Sequence, residues 1–113
     1  MKKLTTVLIA AGLLATASAC SAPQLTTAET CDRVGVAVSS LSSNSGKTAT
    51  ARVANAVRPI ESVASDEMKS VVTAIVDYSD EASKANPDEN KMGTLSAAYQ
   101  AAGTKYGQLC AAK

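Results

Sequence analysis

Apolar residues recur at intervals of three and four positions along this chain after residue 27, and no segment alternates apolar and polar residues. Spacing of three and four places apolar side chains on one face of an α-helix, whereas strict alternation would indicate a β-strand. The pattern therefore predicts an all-α fold. Clear helix breakers, the serine-rich stretch 42–46 and Asn86-Pro87, separate the helical segments.

Four helical segments follow from these breakers. The first begins near Thr27 or Ala28, and the second covers about 48–64, with Pro59 expected to kink or split it. The third covers about 66–85 with Ser65 as N-cap, and the fourth about 87–112 with Asn86 as N-cap. The apolar faces are Cys31, Val34, Val38 and Leu41; Val53, Val57, Ile60 and Ala64; Met68, Val71, Val72, Ile75, Ser79 and Ala82; and Met92, Leu95, Tyr99, Ala102, Tyr106 and Leu109.

The composition limits both the core and the chemistry. The chain has no Phe and no Trp, so its core must be built from Ala, Val, Leu, Ile and a few Met, each of which buries little area. It also has no His, which removes the commonest general base and the commonest metal ligand. These absences favour a protein without a catalytic centre or a bound cofactor.

The first 19 residues have the layout of a secretory signal. Met1-Lys2-Lys3 is a short positive region, residues 4–15 are apolar, and residues 16–19 are small. The strongly apolar run is shorter than the roughly 20 residues that a membrane-spanning helix needs. Residues 1–19 are therefore predicted to be a cleaved signal peptide.

The segment Ala17-Ser18-Ala19-Cys20 resembles the lipobox of bacterial lipoprotein precursors, with Ala17 where that class usually has Leu. The resemblance implies a lipid anchor of the palmitate type on Cys20, cleavage before it, and an extracytoplasmic, membrane-anchored protein. The same residues fit an ordinary A-x-A cleavage site, so free secretion stays open. The predicted organisation is a signal at 1–19, a lipidated tether at 20–27 acting as a plain spacer, and a helical domain at 28–113.

If Cys20 carries lipid, Cys31 and Cys110 remain as one pair, which should close in an oxidising envelope. The mature chain then resembles small uncharacterised lipoproteins with one Cys near each end. The two residues lie in the first turn of the first helix and the last turn of the last one. In an up-down bundle these points meet only if the helix count is even, which favours four helices over the alternative of three with one continuous helix over 47–85.

The balance of charges argues against nucleic acid as a partner. Removing Lys2 and Lys3 with the signal leaves nine basic against ten acidic residues, a net charge of −1. Ser65 and Lys69 lie four residues apart, but a capping serine and a solvated lysine explain them better than a nucleophile and its base. The acidic residues Asp77, Asp80, Glu81, Asp88 and Glu89 lack the spacing of a calcium-binding loop and fit a solvated face and a helix start.

Tyr78 falls off the apolar face of the third helix, so it is the predicted exposed contact residue, while Tyr99 and Tyr106 are predicted to lie in the core. Together these features predict a non-enzymatic lipoprotein that binds an envelope protein or a cell-wall partner. The alternative is a carrier of a small apolar ligand between the helices. An enzyme is the least favoured hypothesis.

Overall fold

The computed structural model describes residues 23–43 and 46–111, and this part of the chain forms four α-helices joined by short connections. Helix α1 is Thr27–Ser43, α2 is Lys47–Glu61, α3 is Lys69–Ala82 and α4 is Glu89–Ala111. Successive helices pack against each other, and α4 returns to α1. The predicted all-α, up-down four-helix bundle is confirmed.

The connection between α2 and α3 settles the helix count. Residues 62–68 form a turn in which the backbone N–H groups of Met68 and Lys69 both donate to the Ser65 carbonyl, at 3.0 and 3.1 Å. The three-helix alternative is therefore wrong. Pro59 does not divide α2, because it lies in the last turn of a helix that ends at Glu61.

The core lies mainly on α2 and α3, whose apolar faces match the predicted stripes. Fully buried side chains include Val53, Val57, Met68, Val71 and Val72. Helix α1 adds Cys31 and Val34, whereas α4 contributes only Ala102 to the buried set. The remaining residues of the predicted α4 stripe are only partly buried.

The disulfide joins α1 to α4. Cys31 and Cys110 are bonded, with Cα atoms 5.6 Å apart, as the even helix count predicted. The Tyr106 hydroxyl donates to the Cys31 carbonyl at 3.2 Å, one turn before Cys110 on α4. The first turn of α1, the turn between α2 and α3 and the last turns of α4 thus lie together, and we call this part of the bundle the disulfide end.

Two predicted caps differ from the structure. Helix α3 begins at Lys69, and Ser65 does not cap it because its polar groups bond to residues of α1. Helix α4 is capped by Asp88 instead of Asn86, since Asp88 Oδ1 accepts from the N–H groups of Asn90 and Lys91 at 2.9 and 3.1 Å. Gly46, the last residue of the predicted breaker at 42–46, directly precedes α2. Its φ of +137° is a conformation that favours glycine.

Candidate functional site

An apolar cleft lies between α1, α3 and α4, next to the disulfide end. Its volume is about 130 Å³. Gly103 on its rim is exposed, and a Cβ there would meet no atom within 4 Å, so the cleft opens to solvent on this side. The lining side chains are aliphatic or aromatic: Val34, Val38, Ile75, Tyr99, Ala102 and Tyr106. Such a surface offers apolar contact and no ionisable group that is charged at neutral pH.

Tyr106 closes the end of this cleft that is nearer to the disulfide. Its hydroxyl donates to the Cys31 carbonyl at 3.2 Å and lies against Gly35, where an added Cβ would stand 3.1 Å from the hydroxyl oxygen. The close approach of α1 and α4 at this level therefore depends on the small size of Gly35. Farther from the disulfide, at Val38, Tyr99 and Gly103, the two helices leave the cleft open.

Tyr78 is not the isolated exposed aromatic that the sequence predicted. It is half-buried, and its ring stacks on the ring of Tyr99 with centroids 4.5 Å apart and an interplanar angle of 26°. The pair joins α3 to α4 next to the cleft, because Tyr99 also lines the cleft wall. Stacking of this kind stabilises the helix pair beyond the area it buries. Tyr99 and Tyr106 are themselves only partly buried.

Two members of the acidic cluster at the end of α3, Asp80 and Glu81, form structural contacts. Asp80 forms an ion pair with Arg58 at 2.6 Å, and the buried Glu81 accepts from the Asp88 N–H at 2.9 Å and from Lys84 at 2.7 Å. The Asp88 N–H, followed by Lys84, holds the pKa of Glu81 below its ordinary value. Within residues 23–43 and 46–111, no group of three or more His, Cys, Asp or Glu side chains is arranged to hold a metal ion.

Ser65 and Lys69, which lie four residues apart in the sequence, are engaged in separate contacts. Ser65 is buried, and its hydroxyl shares a hydrogen bond of 3.0 Å with the Thr27 hydroxyl. Lys69 is exposed and pairs with Asp66 at 3.6 Å. The serine therefore holds the fold together, and the lysine faces solvent.

Residues 24–27, predicted as a plain spacer, are instead bound to the turn between α2 and α3. The Gln24 amide donates to the Ala64 carbonyl at 3.1 Å and to the Asp66 carboxylate at 3.0 Å, and the Leu25 N–H donates to the Val63 carbonyl at 2.7 Å. The Thr27 hydroxyl donates to Glu67 at 3.1 Å. We call residues 24–27 together with residues 63–67 the N-terminal clasp.

A capping box extends the clasp into α1. Glu29 Oε2 accepts from the Thr26 N–H at 2.9 Å, and Thr26 Oγ accepts from the Glu29 N–H at 3.1 Å. The Thr26 N–H is also the largest cause of the lowered pKa of Glu29. The buried Thr30 hydroxyl donates to the Thr26 carbonyl at 2.8 Å and accepts from the Ser65 N–H at 3.2 Å, which ties α1 to the same turn.

Comparison with family models, with curated proteins and with solved structures found no match to this chain. In the described part of the chain, no helix is both long and apolar enough to cross a membrane. Cys20, the predicted lipidation site, and the predicted signal lie outside the described residues.

A second apolar surface that could meet a partner lies next to Val36. Val36, on α1, has 77% of its surface exposed. It borders an open groove between α1 and α2 whose other apolar members include Ala56 and Pro59. Single exposed apolar residues are common on soluble proteins, but this one stands beside a groove with a volume of about 450 Å³.

Proposed function

We propose that this chain is a bacterial lipoprotein precursor whose mature form begins at Cys20, carries lipid on that residue, and acts at the extracytoplasmic face of the membrane as a non-enzymatic binding module. The signal-like residues 1–19 and the lipobox-like Ala17-Ser18-Ala19-Cys20 support export and lipidation. The partner is an envelope protein or a cell-wall component, and the groove beside Val36 is a surface it could use.

The observation that carries this proposal is the Cys31–Cys110 disulfide. The chain has three cysteines, and this bond uses two of them. Cys20 is left over, and an odd cysteine in an exported chain calls for an explanation. Its position directly after small residues supplies one, since that is where the thiol of a lipoprotein receives its diacylglyceryl group.

The non-enzymatic part of the proposal is supported by the contacts of the groups that could have done chemistry. Ser65 belongs to the N-terminal clasp, Lys69 pairs with Asp66, and Glu81 is held by Lys84 and the Asp88 N–H. Each side chain has a structural role in the described fold. Turnover of an envelope substrate by the purified helical domain would contradict this part.

Intact mass spectrometry of the protein from the membrane fraction tests the lipoprotein proposal. We expect the mass of residues 20–113 plus a diacylglyceryl group, and a rise of two hydrogens on reduction. A Cys20→Ser variant should carry no lipid and leave the membrane fraction or remain uncleaved, whereas a Ser21→Ala variant should be lipidated and cleaved normally. An unmodified 20–113 chain would instead indicate ordinary secretion.

The cleft beside Gly103 favours one second candidate, a carrier of a small apolar ligand. Its volume of about 130 Å³ lies below the roughly 300–1,000 Å³ of drug-sized ligand sites but near the roughly 150 Å³ of a cavity that holds benzene. A single ring or a short alkyl group fits, whereas a whole fatty acid does not. Toluene should raise the Tm of the helical domain, and Ala102→Leu, which adds bulk at a buried residue of the lining, should abolish that rise. A Tm that toluene leaves unchanged would count against this candidate.

A further inference from the structure

The N-terminal clasp lies between the predicted lipid on Cys20 and the first helix. The clasp begins at Gln24, whose amide already bonds to the turn at residues 63–67. Four residue steps separate Cys20 from Gln24, and a fully extended chain spans at most about 14 Å over that distance. If the clasp did not hold residues 24–27, the limit would be set by the seven steps from Cys20 to Thr27, at most about 25 Å.

We propose that the N-terminal clasp orients the anchored bundle on the lipid surface, with the disulfide end against the headgroup layer and the opposite end directed away from it. This inference rests on the proposed lipid anchor at Cys20. The four residue steps from Cys20 to Gln24 limit the distance of the disulfide end from the membrane. The three clasp residues that bond to the turn, Gln24, Leu25 and Thr27, resist tilting about the point of attachment.

The surface of the disulfide end fits a headgroup layer and not the hydrocarbon beneath it. Its exposed side chains on the turn between α2 and α3 are polar or charged: Ser62, Asp66, Glu67 and Lys69. The carboxylates of Asp66 and Glu67 accept clasp hydrogen bonds. The end therefore rests in the polar interface while the acyl chains on Cys20 supply the apolar insertion.

The orientation determines which surfaces are available to a partner. Helix α2 has 15 residues and therefore a length of about 22 Å. The connection after α3, at residues 83–88, lies that far or farther from the membrane-facing turn. The disulfide and the clasp are shielded by the membrane, and the groove beside Val36 lies in the half of the bundle nearer to it, since its lining includes Arg33 and Ile60. The far end of the bundle stays accessible.

Energy transfer from a single tryptophan to a dansyl-headgroup lipid measures this orientation. The chain contains no Trp, so Ser62→Trp and Ala85→Trp each introduce one donor at an exposed position at opposite ends of the bundle. In phosphatidylcholine vesicles, the lipidated protein should transfer severalfold more efficiently from position 62 than from position 85. Equal transfer from both positions would overturn the proposal.

Variants of the clasp show whether it is the cause. Gln24→Ala with Thr27→Ala removes its side-chain bonds and should bring the two transfer efficiencies closer together. Gln100→Ala with Thr104→Ala changes the same residue types on the exposed face of α4 and should leave the ratio unchanged. A ratio that the clasp variant also leaves unchanged would overturn the role of the clasp, provided circular dichroism shows full helicity.

The anchor and the orientation can fail separately. If mass spectrometry finds no lipid on Cys20, the proposed function fails. The same tryptophan variants of residues 20–113 can then be coupled through the Cys20 thiol to a maleimide-headgroup phospholipid, because the disulfide occupies the other two cysteines. A higher transfer from position 62 would still support orientation by the clasp, and equal transfer would refute it.

Discussion

The two ends of this bundle are held together by different kinds of interaction. At the disulfide end, a covalent bond, a capping box and the buried Thr30–Ser65 contact join α1 to α4 and to the turn between α2 and α3. At the opposite end, the exposed Lys47 ammonium donates to the carbonyls of Lys84 and Ala85, and Glu81 anchors the start of α4 through the Asp88 N–H.

The difference shows how a chain without Phe or Trp concentrates its stability. Small aliphatic side chains bury little area each, so the core alone offers a modest free energy of unfolding. The covalent bond and the buried Thr30–Ser65 contact lie at one end, where the chain also enters from its predicted anchor. We call the contact between α1 and α4 the seam. The two helices are in close contact at Tyr106 and Gly35, and they leave an open cleft at Val38 and Gly103.

Removal of the disulfide should have the largest effect. Cys31 and Cys110 are 79 positions apart, so the bond closes a long loop, and the loop-entropy argument gives about 4 kcal/mol of stabilisation. Cys31→Ser with Cys110→Ser should lower the free energy of unfolding by about that amount in urea titrations. The wild-type protein in reducing buffer should show the same loss. An unchanged urea midpoint in both would mean that the hydrogen bonds of this end suffice without the bond.

The buried hydroxyl of Thr30 should come next. Thr30→Val keeps the shape of the side chain but leaves the Ser65 N–H without its acceptor, which should cost about 1–3 kcal/mol. Thr104→Val is the matched control, because Thr104 is exposed on α4 and its hydroxyl bonds only to the Gln100 carbonyl of its own helix. Equal urea midpoints for the two variants would show that the Thr30–Ser65 contact contributes no more than a surface hydroxyl.

Acid should weaken the opposite end through Glu81. The pKa of Glu81 is lowered in the folded protein, first by the Asp88 N–H and then by Lys84. The stabilisation from these contacts is therefore fully present above the ordinary glutamate pKa of 4.5, and it is lost as the pH falls below that value. Glu29 at the disulfide end has the same sign, because the Thr26 N–H lowers its pKa. The absence of His leaves the Tm nearly constant between about pH 5 and 8.

Comparison of two glutamine variants separates this contribution from the overall loss of charge. Glu81→Gln should lower the Tm at pH 7 by less than the disulfide and Thr30 variants do, because Lys84 is half-exposed and its ion pair with Glu81 is screened by solvent. It should also flatten the fall in Tm below pH 4.5. Glu89→Gln removes one charge from an exposed position in the first turn of α4 and should keep the wild-type slope. If both variants give the same pH profile, Glu81 has no special role.

The helices and their buried faces could be predicted from the sequence because each depends on residues three or four positions apart. The faces of α2 and α3 are buried where the apolar spacing placed them, and the cysteine positions fixed the even helix count. The clasp could not be predicted in this way, since Gln24 bonds to residues 40 and 42 positions later. The sequence does contain the capping-box spacing Thr26-x-x-Glu29, and the prediction of a plain spacer up to residue 27 is wrong at this point.

Two other residues show the same limit of local patterns. Ser65 has the composition of an N-cap, yet its hydroxyl bonds with Thr27 and its N–H with Thr30, so tertiary contacts override the local preference. Tyr78 lies off the apolar face of α3, and this position correctly predicts that it is not part of the buried core. Its stacking on Tyr99 depends on how α4 crosses α3, and no single-helix pattern contains that information.

Two glycines provide the finest test of the seam between α1 and α4. Alanine in the middle of a helix is favoured over glycine by about 1 kcal/mol, so Gly103→Ala, whose Cβ meets nothing within 4 Å, should raise the free energy of unfolding by about that amount. Gly35→Ala has the same intrinsic gain, but its Cβ would lie 3.1 Å from the Tyr106 hydroxyl, which must shift and weaken its bond to Cys31. Urea titrations should therefore show Gly35→Ala to be clearly less stable than Gly103→Ala. If both variants gained equally, α1 and α4 would have room to separate at Tyr106, and the closed part of the seam would depend on the disulfide alone.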